Sequence, residues 1–131
     1  MRLLLDTHAL LWWLADDGRL GREARDRIED PGNDVFVSVA SLWEIVVKVR
    51  VGKLEADIER IVDEVRRSGF TRLDIGTSHL VALAGLAMHH RDPFDHLLIA
   101  QAVAEGLVFV SDDRNVSRYS VQLVRCSEVP L

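Results

Sequence analysis

Cysteine and long apolar runs are largely missing from this sequence. Cys126 is the single cysteine among 131 residues. The chain can therefore build neither a disulfide framework nor a cysteine zinc site, and it suits a reducing cytoplasm. No run reaches the ~18 uncharged residues of a membrane span, and Asp6 and His8 interrupt the apolar N-terminus where a signal peptide would need a hydrophobic region. We expect a soluble, cytoplasmic protein with no membrane segment.

An excess of positive charge is also missing, since the formal net charge is −5 at pH 7. The chain as a whole is therefore not drawn to nucleic acid or to anionic membranes. A nucleic-acid substrate is still possible, because carboxylates around metal ions count as negative in this sum while the loaded site does not. With 48% hydrophobic residues, a chain of this length suits one domain spanning residues 1–131.

Strand-like and helix-like patterns alternate along the chain. Apolar residues at 58, 61, 62 and 65 follow helical spacing, and those at 80, 83, 84, 87 and 88 repeat it. Five short apolar runs are typical of strands: 3–5, 35–37, 107–110, 70–73 and 121–124, the last nearer an edge. This order predicts a parallel sheet with helices on both faces and a ligand crevice at the carboxyl ends of its strands.

Aspartates directly follow two of these strand-like runs. Asp6 comes after residues 3–5, while Asp112 and Asp113 come after residues 107–110. Each could bind a ligand in the crevice, or could cap the following helix, because aspartate is a favoured N-cap residue. Spacing alone does not choose between Asp112 and Asp113.

Glu44 lies in the stretch VASLWEIVVKV, which leaves almost no polar helix face. A glutamate in so apolar a helix is seldom buried without a partner. The structural alternatives are a capping box with Ser41 or an i,i+4 pair with Lys48. The capping box requires a helix that begins after Ser41, whereas the pattern suggests a start near Val39. We therefore favour a functional role for Glu44.

The stretch HHRDPFDHLLIAQA, residues 89–102, places two aspartates at the start of an apolar helix. Asp92 fits the N-cap position with Pro93 as the first helical residue. Asp95 then falls at the third helical position, where a capping box needs the longer Glu or Gln. Asp95 gains from the helix dipole, but it is also a candidate for function.

Asp6, Asp95 and one of the last pair of aspartates are expected to converge on the crevice by topology, and Glu44 joins them if its helix crosses that edge. Two such charges ~4 Å apart repel by about 4 kcal/mol at an effective dielectric near 20, so four of them need protons or cations. Oxygen ligands of this kind suit Mg²⁺ or Mn²⁺. The nearby histidines lack zinc-site spacing, and we expect surface or helix-end roles for them: His89, His90 and His96.

Four segments resemble the PIN-domain ribonucleases, in particular the VapC-type toxins of bacterial toxin–antitoxin pairs. They are LLLDTHALLWWL, SVASLWEIVVKVRVGKL, RDPFDHLLIAQA and FVSDDRNV. They occur in the family's order and, with the spacing between them, cover essentially the whole chain. The resemblance implies a three-layer α/β/α sandwich around a mainly parallel sheet. It also implies a divalent-metal-dependent endoribonuclease that cleaves RNA by metal-activated water.

By this resemblance the catalytic, metal-binding acids fall on four positions: Asp6, Glu44, Asp95 and Asp113. They would hold one or two Mg²⁺ or Mn²⁺ ions. Residues 111–113 match the family's T/S-x-D element, which makes the middle aspartate the variable one. Side chains that orient the ligands or waters from behind are expected at Thr7, Ser111, Asp92 and Asp112.

Basic residues near these segments are candidate contacts for RNA phosphates, although each could equally be a solvated surface charge. They are Lys48, Arg50, Lys53, Arg114 and Arg118. The chain departs from the family pattern at His96, where arginine is frequent, and at Ser111, where threonine is usual. Neither change removes a ligand, so a difference is expected in RNA preference.

The resemblance also implies an antitoxin partner that lies in an apolar groove. Trp12 and Trp13 suit such a groove or a homodimer contact; core packing is the alternative, and both rings cannot easily face the same side. Two other functions remain open. An aspartyl phosphatase would need a second aspartate where His8 stands, and a catalytically silent PIN-fold module for protein or RNA binding would have little reason to keep four costly acids.

Overall fold

The computed structural model describes residues 1–127 of the chain. Its strands are β1 (Arg2–Leu5), β2 (Asp34–Ser38), β3 (Thr71–Leu73), β4 (Val108–Val110) and β5 (Leu123–Val124). Its helices are α1 (Thr7–Leu14), α2 (Arg22–Glu29), α3 (Val39–Arg50), α4 (Ile58–Arg67), α5 (Thr77–Ala84), α6 (Pro93–Glu105) and a short 3₁₀ helix (Arg114–Arg118). Residues 128–131, the end of the predicted single domain, lie outside the described part.

The five strands form one sheet in the order β3-β2-β1-β4-β5, and every neighbouring pair is parallel. This confirms the predicted parallel sheet and the edge position of β5. The chain runs outward from β1 through β2 to β3 and then returns to the other side of β1. A crevice therefore opens beyond the carboxyl ends of β1 and β4, where the strand order reverses.

Alternating side chains of the sheet enter two separate cores. Leu3 and Leu5 of β1 lie in one buried cluster with residues of α1, α2, α3 and α4. Leu4 of β1 and Phe109 of β4 lie in the other, mainly with residues of α6. Because successive side chains of a strand point to opposite faces, the sheet is covered on both sides, and the three-layer α/β/α sandwich is confirmed.

The helical pattern at residues 80–88 extends beyond the helix that forms there. α5 ends at Ala84, and Gly85 is its C-cap, so residues 87 and 88 lie outside it. Leu80 is 50% exposed and Met88 is 78% exposed, whereas Leu83 packs against the core beside α6. Glycine is a poor helix former, and only one narrow side of this short helix meets α6. Among residues 1–127, no helix is long and apolar enough to cross a membrane.

Candidate metal centre

Asp6 lies where β1 passes into α1, at the edge of the sheet that faces the crevice. Its backbone N–H donates to the Val110 carbonyl of β4 at 3.0 Å. Its Oδ1 accepts from the Ala9 N–H at 2.7 Å, which makes Asp6 the N-cap of α1. The side chain is 4% exposed. Asp6 therefore caps the helix with one oxygen while the whole carboxylate stays beside the crevice.

Glu44 lies within α3 and is only 3% exposed. Ser38 is the N-cap of this helix, so the predicted start near Val39 is confirmed and the capping-box alternative is wrong. Glu44 Oε1 accepts from the Thr7 hydroxyl at 2.6 Å, and Oε2 lies 2.7 Å from Lys48 Nζ. The i,i+4 pair with Lys48 is therefore present, and Thr7 joins the carboxylate to the start of α1.

Asp92 and Asp95 have different roles at the start of α6. Asp92 Oδ1 accepts from the N–H groups of Phe94 and Asp95 at 2.9 and 3.3 Å, with Pro93 as the first helical residue. The predicted N-cap is therefore confirmed. Because Asp92 fixes the first turn, it also fixes the position from which the Asp95 side chain extends.

The loop after β4 brings Ser111 and Asp113 to the same place. The Asp113 N–H donates to Ser111 Oγ at 3.1 Å, and the nearby Ser111 hydroxyl acts to lower the pKa of Asp6. Asp113 Oδ1 accepts from the Asn115 N–H at 2.8 Å and caps the 3₁₀ helix. One carboxyl oxygen of Asp95 lies within 4.8 Å of one of Asp113, and each of the two groups shifts the pKa of the other.

Burial and like charge set the protonation of these acids. Burial raises the pKa of Asp6 to about 6, although hydrogen bonds from Ala9 and Ser111 oppose it. Burial, the hydrogen bond with Asp113 and the charges of Asp92 and Asp6 raise the pKa of Asp95 to about 8. Partial burial acts to raise the pKa of Asp113, but hydrogen bonds from Asn115 and Asp95 outweigh it and lower that pKa. Without cations the cluster therefore retains protons near neutral pH.

Asp112, the middle residue of the loop, has another attachment. Its Oδ1 accepts from the backbone N–H groups of Cys126 and Ser127 at 2.7 and 3.0 Å. This carboxylate fastens the segment after β5 to the loop that carries Asp113. Asp112 therefore supports the loop's position, and its role toward a metal remains a prediction.

Of the five basic residues proposed to contact RNA, only Lys48 is tied to one of the four acids within residues 1–127, through its ion pair with Glu44. The other four are exposed: Arg50, Lys53, Arg114 and Arg118. The last two are the first and last residues of the 3₁₀ helix that Asp113 caps, so Arg114 directly follows one of the acids in the chain. Contact with RNA phosphates remains a prediction for all five.

The expectation of surface or helix-end roles is wrong for His90 and His96. His96 is buried, and the side chain of His90 is 10% exposed with Nε2 lying 3.5 Å from Asp95 Oδ2. Both rings pack around Tyr119, a contact that sequence spacing could not reveal because Tyr119 lies far along the chain. His89 is exposed, as expected.

The two tryptophans of α1 are half-buried at the margin of the first core and have different neighbours. Trp12 stacks on His8 and lies under the guanidinium of Arg19, whereas Trp13 packs against Phe70. Packing against the core therefore buries part of each ring, and a groove for a partner at these two tryptophans remains a prediction.

The chemistry of the donor set fits a divalent cation. Four carboxyl groups and the hydroxyls of Thr7 and Ser111 lie around one end of the crevice. Such oxygen-rich sets are what Mg²⁺ and Mn²⁺ prefer. Lys48 pairs with Glu44, whereas burial and, after it, neighbouring acids raise the pKa values of Asp6 and Asp95. A bound cation would favour the ionised form of both carboxyls.

Comparisons with known proteins agree with this architecture. The chain is 28% identical to Ribonuclease VapC22 of Mycobacterium tuberculosis over 120 residues, which cover 87% of this chain and 88% of that protein. The structure of VapBC2 from Rickettsia felis bound to a promoter DNA fragment superposes with a TM-score of 0.74 at 16% identity, covering 95% of this chain and 98% of that chain. DNA-bound VapBC from Salmonella typhimurium gives 0.70 at 20% identity, with the same coverages.

At such low identity the two structural likenesses establish the fold alone. The family model described as PIN domain matches residues 3–122, which include β1 except Arg2, all six α-helices and all four acids. The match therefore extends over both halves of the sheet and the crevice between them. The chain belongs to the PIN domain family.

Proposed function

We propose that this protein is a divalent-metal-dependent endoribonuclease that acts as the toxin of a toxin–antitoxin pair. The proposal is supported by the acids near the switch point of a PIN-domain sheet: the charge of Glu44 acts on Asp6, that of Asp6 acts on Asp95, and Asp95 lies within 4.8 Å of Asp113. Relatives named ribonucleases support RNA as the substrate. Structural neighbours that are toxin–antitoxin complexes support an antitoxin partner.

The four acids would hold one or two Mg²⁺ or Mn²⁺ ions. When bound, such ions supply a water-derived nucleophile at neutral pH and offset the charge that develops on the phosphodiester. Thr7 and Lys48 each hold one oxygen of Glu44 and so set the orientation of that carboxylate. Ser111 accepts from the Asp113 N–H and acts to lower the pKa of Asp6, so it would help to orient acids from both halves of the sheet.

Asp95 must lose its proton before it can act as a ligand. Burial raises the pKa of Asp95 to about 8, so this carboxyl keeps its proton near neutral pH in the metal-free protein. A metal ion that binds at this site releases protons, because the carboxyl groups that coordinate it must be deprotonated. Activity in the proposed mechanism therefore rises with pH as Asp6 and Asp95 become available.

RNA phosphates and the antitoxin would be recognised around this site. Arg114 and Arg118 would contact the RNA backbone, and the start of their 3₁₀ helix at Asp113 supports this assignment. The half-buried rings of Trp12 and Trp13 supply an apolar margin for an antitoxin segment or for a second copy of the chain. Homodimerisation and a cytoplasmic location belong to the same proposal.

Purified protein should cleave RNA in Mg²⁺ or Mn²⁺, and EDTA should stop the cleavage. Asp95→Asn and Glu44→Gln should also abolish the cleavage, because each replaces a carboxylate by an amide of nearly the same shape and so removes its negative charge. Asp26→Asn, a change at an exposed aspartate of α2, is the matched control and should leave cleavage intact. Cleavage that survives both EDTA and the two site variants would refute the proposal.

A catalytically silent binding module is the alternative function. It is distinguished by adding Mg²⁺ to metal-free protein and measuring the melting temperature, which a metal site raises as it fills. Asp6→Asn should remove that rise. A melting temperature that does not respond to Mg²⁺ or Mn²⁺ in the wild-type protein favours the silent module.

A further inference from the structure

His90 lies in the turn before α6 and carries a buried nitrogen that the proposed chemistry has not yet used. Its side chain is 10% exposed. Within residues 1–127, Nε2 is buried and has no hydrogen-bond partner. Buried polar atoms are nearly always hydrogen-bonded in proteins, so an unsatisfied ring nitrogen beside a cluster of acids requires an explanation.

The ring of His90 is held in place from its other side. Nδ1 lies 2.9 Å from the Tyr119 hydroxyl, which also accepts from the His89 N–H at 3.0 Å. The ring of His96 packs edge-on against His90 with centroids 4.6 Å apart. In a histidine that binds a metal through one ring nitrogen, the N–H of the other commonly donates to an oxygen, which fixes the ring. With its proton on Nδ1, His90 would donate to the Tyr119 hydroxyl and keep the Nε2 lone pair for a metal.

The free nitrogen faces two of the acids. Nε2 lies 3.5 Å from Asp95 Oδ2 without forming a hydrogen bond. One ligand atom from each of His90, Asp95 and Asp113 lies within 4.8 Å of the other two. Ligands ~2.0–2.2 Å from one ion can be separated by up to about 4.4 Å, so only a small adjustment would let all three bind the same ion.

We propose that His90 is a nitrogen ligand that, with Asp95 and Asp113, forms a subsite selective for a first-row transition-metal ion over Mg²⁺. Mg²⁺ prefers oxygen ligands, whereas an imidazole nitrogen favours first-row transition-metal ions, whose affinity rises from Mn²⁺, the weakest of them, to a maximum at Cu²⁺. This inference rests on the proposed function, since it concerns the same acids. It adds a ligand and an ion preference that the four carboxylates alone do not supply.

The first test is calorimetric titration of metal-free protein with MnCl₂ and with MgCl₂. His90→Ala should weaken Mn²⁺ binding by ~10–100-fold and should change Mg²⁺ binding by no more than ~3-fold. His89→Ala is the matched control, because it removes the neighbouring, exposed ring and keeps the backbone N–H that binds Tyr119. An equal loss of both ions in His90→Ala, or no loss of either, would overturn the inference.

The second test uses the unaltered chain, so it does not depend on a variant that folds. Pulsed electron paramagnetic resonance of the Mn²⁺-loaded protein should show coupling to a histidine nitrogen, and ¹⁵N-labelling of histidine should change that coupling. The signal should persist in His89→Ala and disappear in His90→Ala. If Mn²⁺ binds and Asp95→Asn abolishes binding but no nitrogen coupling is seen, His90 is not a ligand and the proposed function still stands. If neither Mn²⁺ nor Mg²⁺ binds, the proposed function itself fails.

Discussion

Helix α6 carries a buried polar cluster near each end, and the two clusters differ in their hydrogen bonding. Toward its C-terminal end, Gln101 is completely buried; it accepts from the Ser38 hydroxyl at 2.5 Å and donates to the Asp74 carbonyl at 3.4 Å. His79 Nδ1 accepts from the Gly76 N–H at 2.9 Å, so Nε2 carries the ring proton and lies 2.8 Å from Glu105 Oε1. Donors and acceptors are matched in this cluster.

The cluster at the N-terminal end of α6 is mismatched instead. Burial and the neighbouring acids Asp113, Asp92 and Asp6 raise the pKa of Asp95, while His90 Nε2 has no hydrogen bond among residues 1–127. A matched buried network stabilises a fold, whereas gathered like charges destabilise it until a cation enters. The cluster near the C-terminal end of α6 therefore stabilises the sandwich, whereas the cluster near its N-terminal end is suited to binding a cation.

Asp95→Asn should have the largest effect and should divide activity from stability. RNA cleavage should fall by roughly 10²–10³-fold or more, a loss typical of removing a charged group from the reacting centre. The melting temperature of the metal-free variant at pH 8 should instead rise by roughly 5 °C, because a buried charge that resists ionisation has been removed. Single-turnover cleavage and thermal unfolding in EDTA measure the two effects. A lower melting temperature would mean that the acid cluster is structural.

Gln101→Leu should act in the opposite way, on stability alone. It leaves the Ser38 hydroxyl without its acceptor inside the core, and we expect the free energy of unfolding to fall by about 2–3 kcal/mol. Urea denaturation measures this loss. Val103→Gln, on the exposed side of the same helix, should change stability by no more than ~0.5 kcal/mol; a similar loss in both variants would contradict the comparison.

The pH dependence of stability should report the acid cluster directly. The pKa of Asp6 is raised from 3.8 to about 6 and that of Asp95 from 3.8 to about 8. Their stabilising contribution is complete below pH 4, where both carboxyls are protonated in the folded and unfolded chain. It is lost between pH 4 and 8, since the unfolded chain then ionises more readily. The metal-free melting temperature should therefore fall across this range, and Asp95→Asn should reduce the fall.

Added metal should reverse that trend. Binding releases protons from the carboxyl ligands, so the stabilisation by Mn²⁺ should increase as the pH rises from 5 to 8. Melting temperatures measured with and without Mn²⁺ over this range give the difference. A metal effect that is independent of pH would show that protonation of Asp6 and Asp95 does not compete with binding.

Asp92→Ala should have the smallest effect, about 1 kcal/mol of stability, because it removes an N-cap. It should also weaken metal binding, since the first turn of α6 carries Asp95. Asp57→Ala is the matched control: Asp57 caps α4 and accepts from the N–H groups of Glu59 and Arg60. The control should lose similar stability and keep its metal affinity. Equal metal affinity in both variants would show that the cap of α6 does not position Asp95.

Much of the fold could be predicted because it depends on local patterns. The apolar runs located all five strands, and the pairing of Asp92 with Pro93 located the start of α6. The end of α5 was harder to predict, because the apolar pattern continues past Gly85 while α6 covers only one side of α5. Periodicity reports which face a helix could bury, but packing decides how much of that face is covered.

Three of the four acids could be selected from the sequence because topology brings strand ends together, and the family resemblance chose Asp113 over Asp112. Glu44 was selected because it interrupts an apolar helix. The sequence contains one sign of the polar network on α6 that was missed: the side-chain amide of Gln101 lies within the apolar stretch LLIAQAV. A buried amide requires partners, yet its partner Ser38 lies 63 positions away. No local pattern names that partner.

The sequence by itself determined where strands and helices begin, and which carboxylates follow the strands, because capping, chain stiffness and apolar periodicity act within a few residues. Tertiary structure alone decided that the Tyr119 hydroxyl would hold His90, which lies 29 positions earlier. It also decided that Asp95 would keep its proton near neutral pH, since burial and neighbouring charge exist only after the chain has folded.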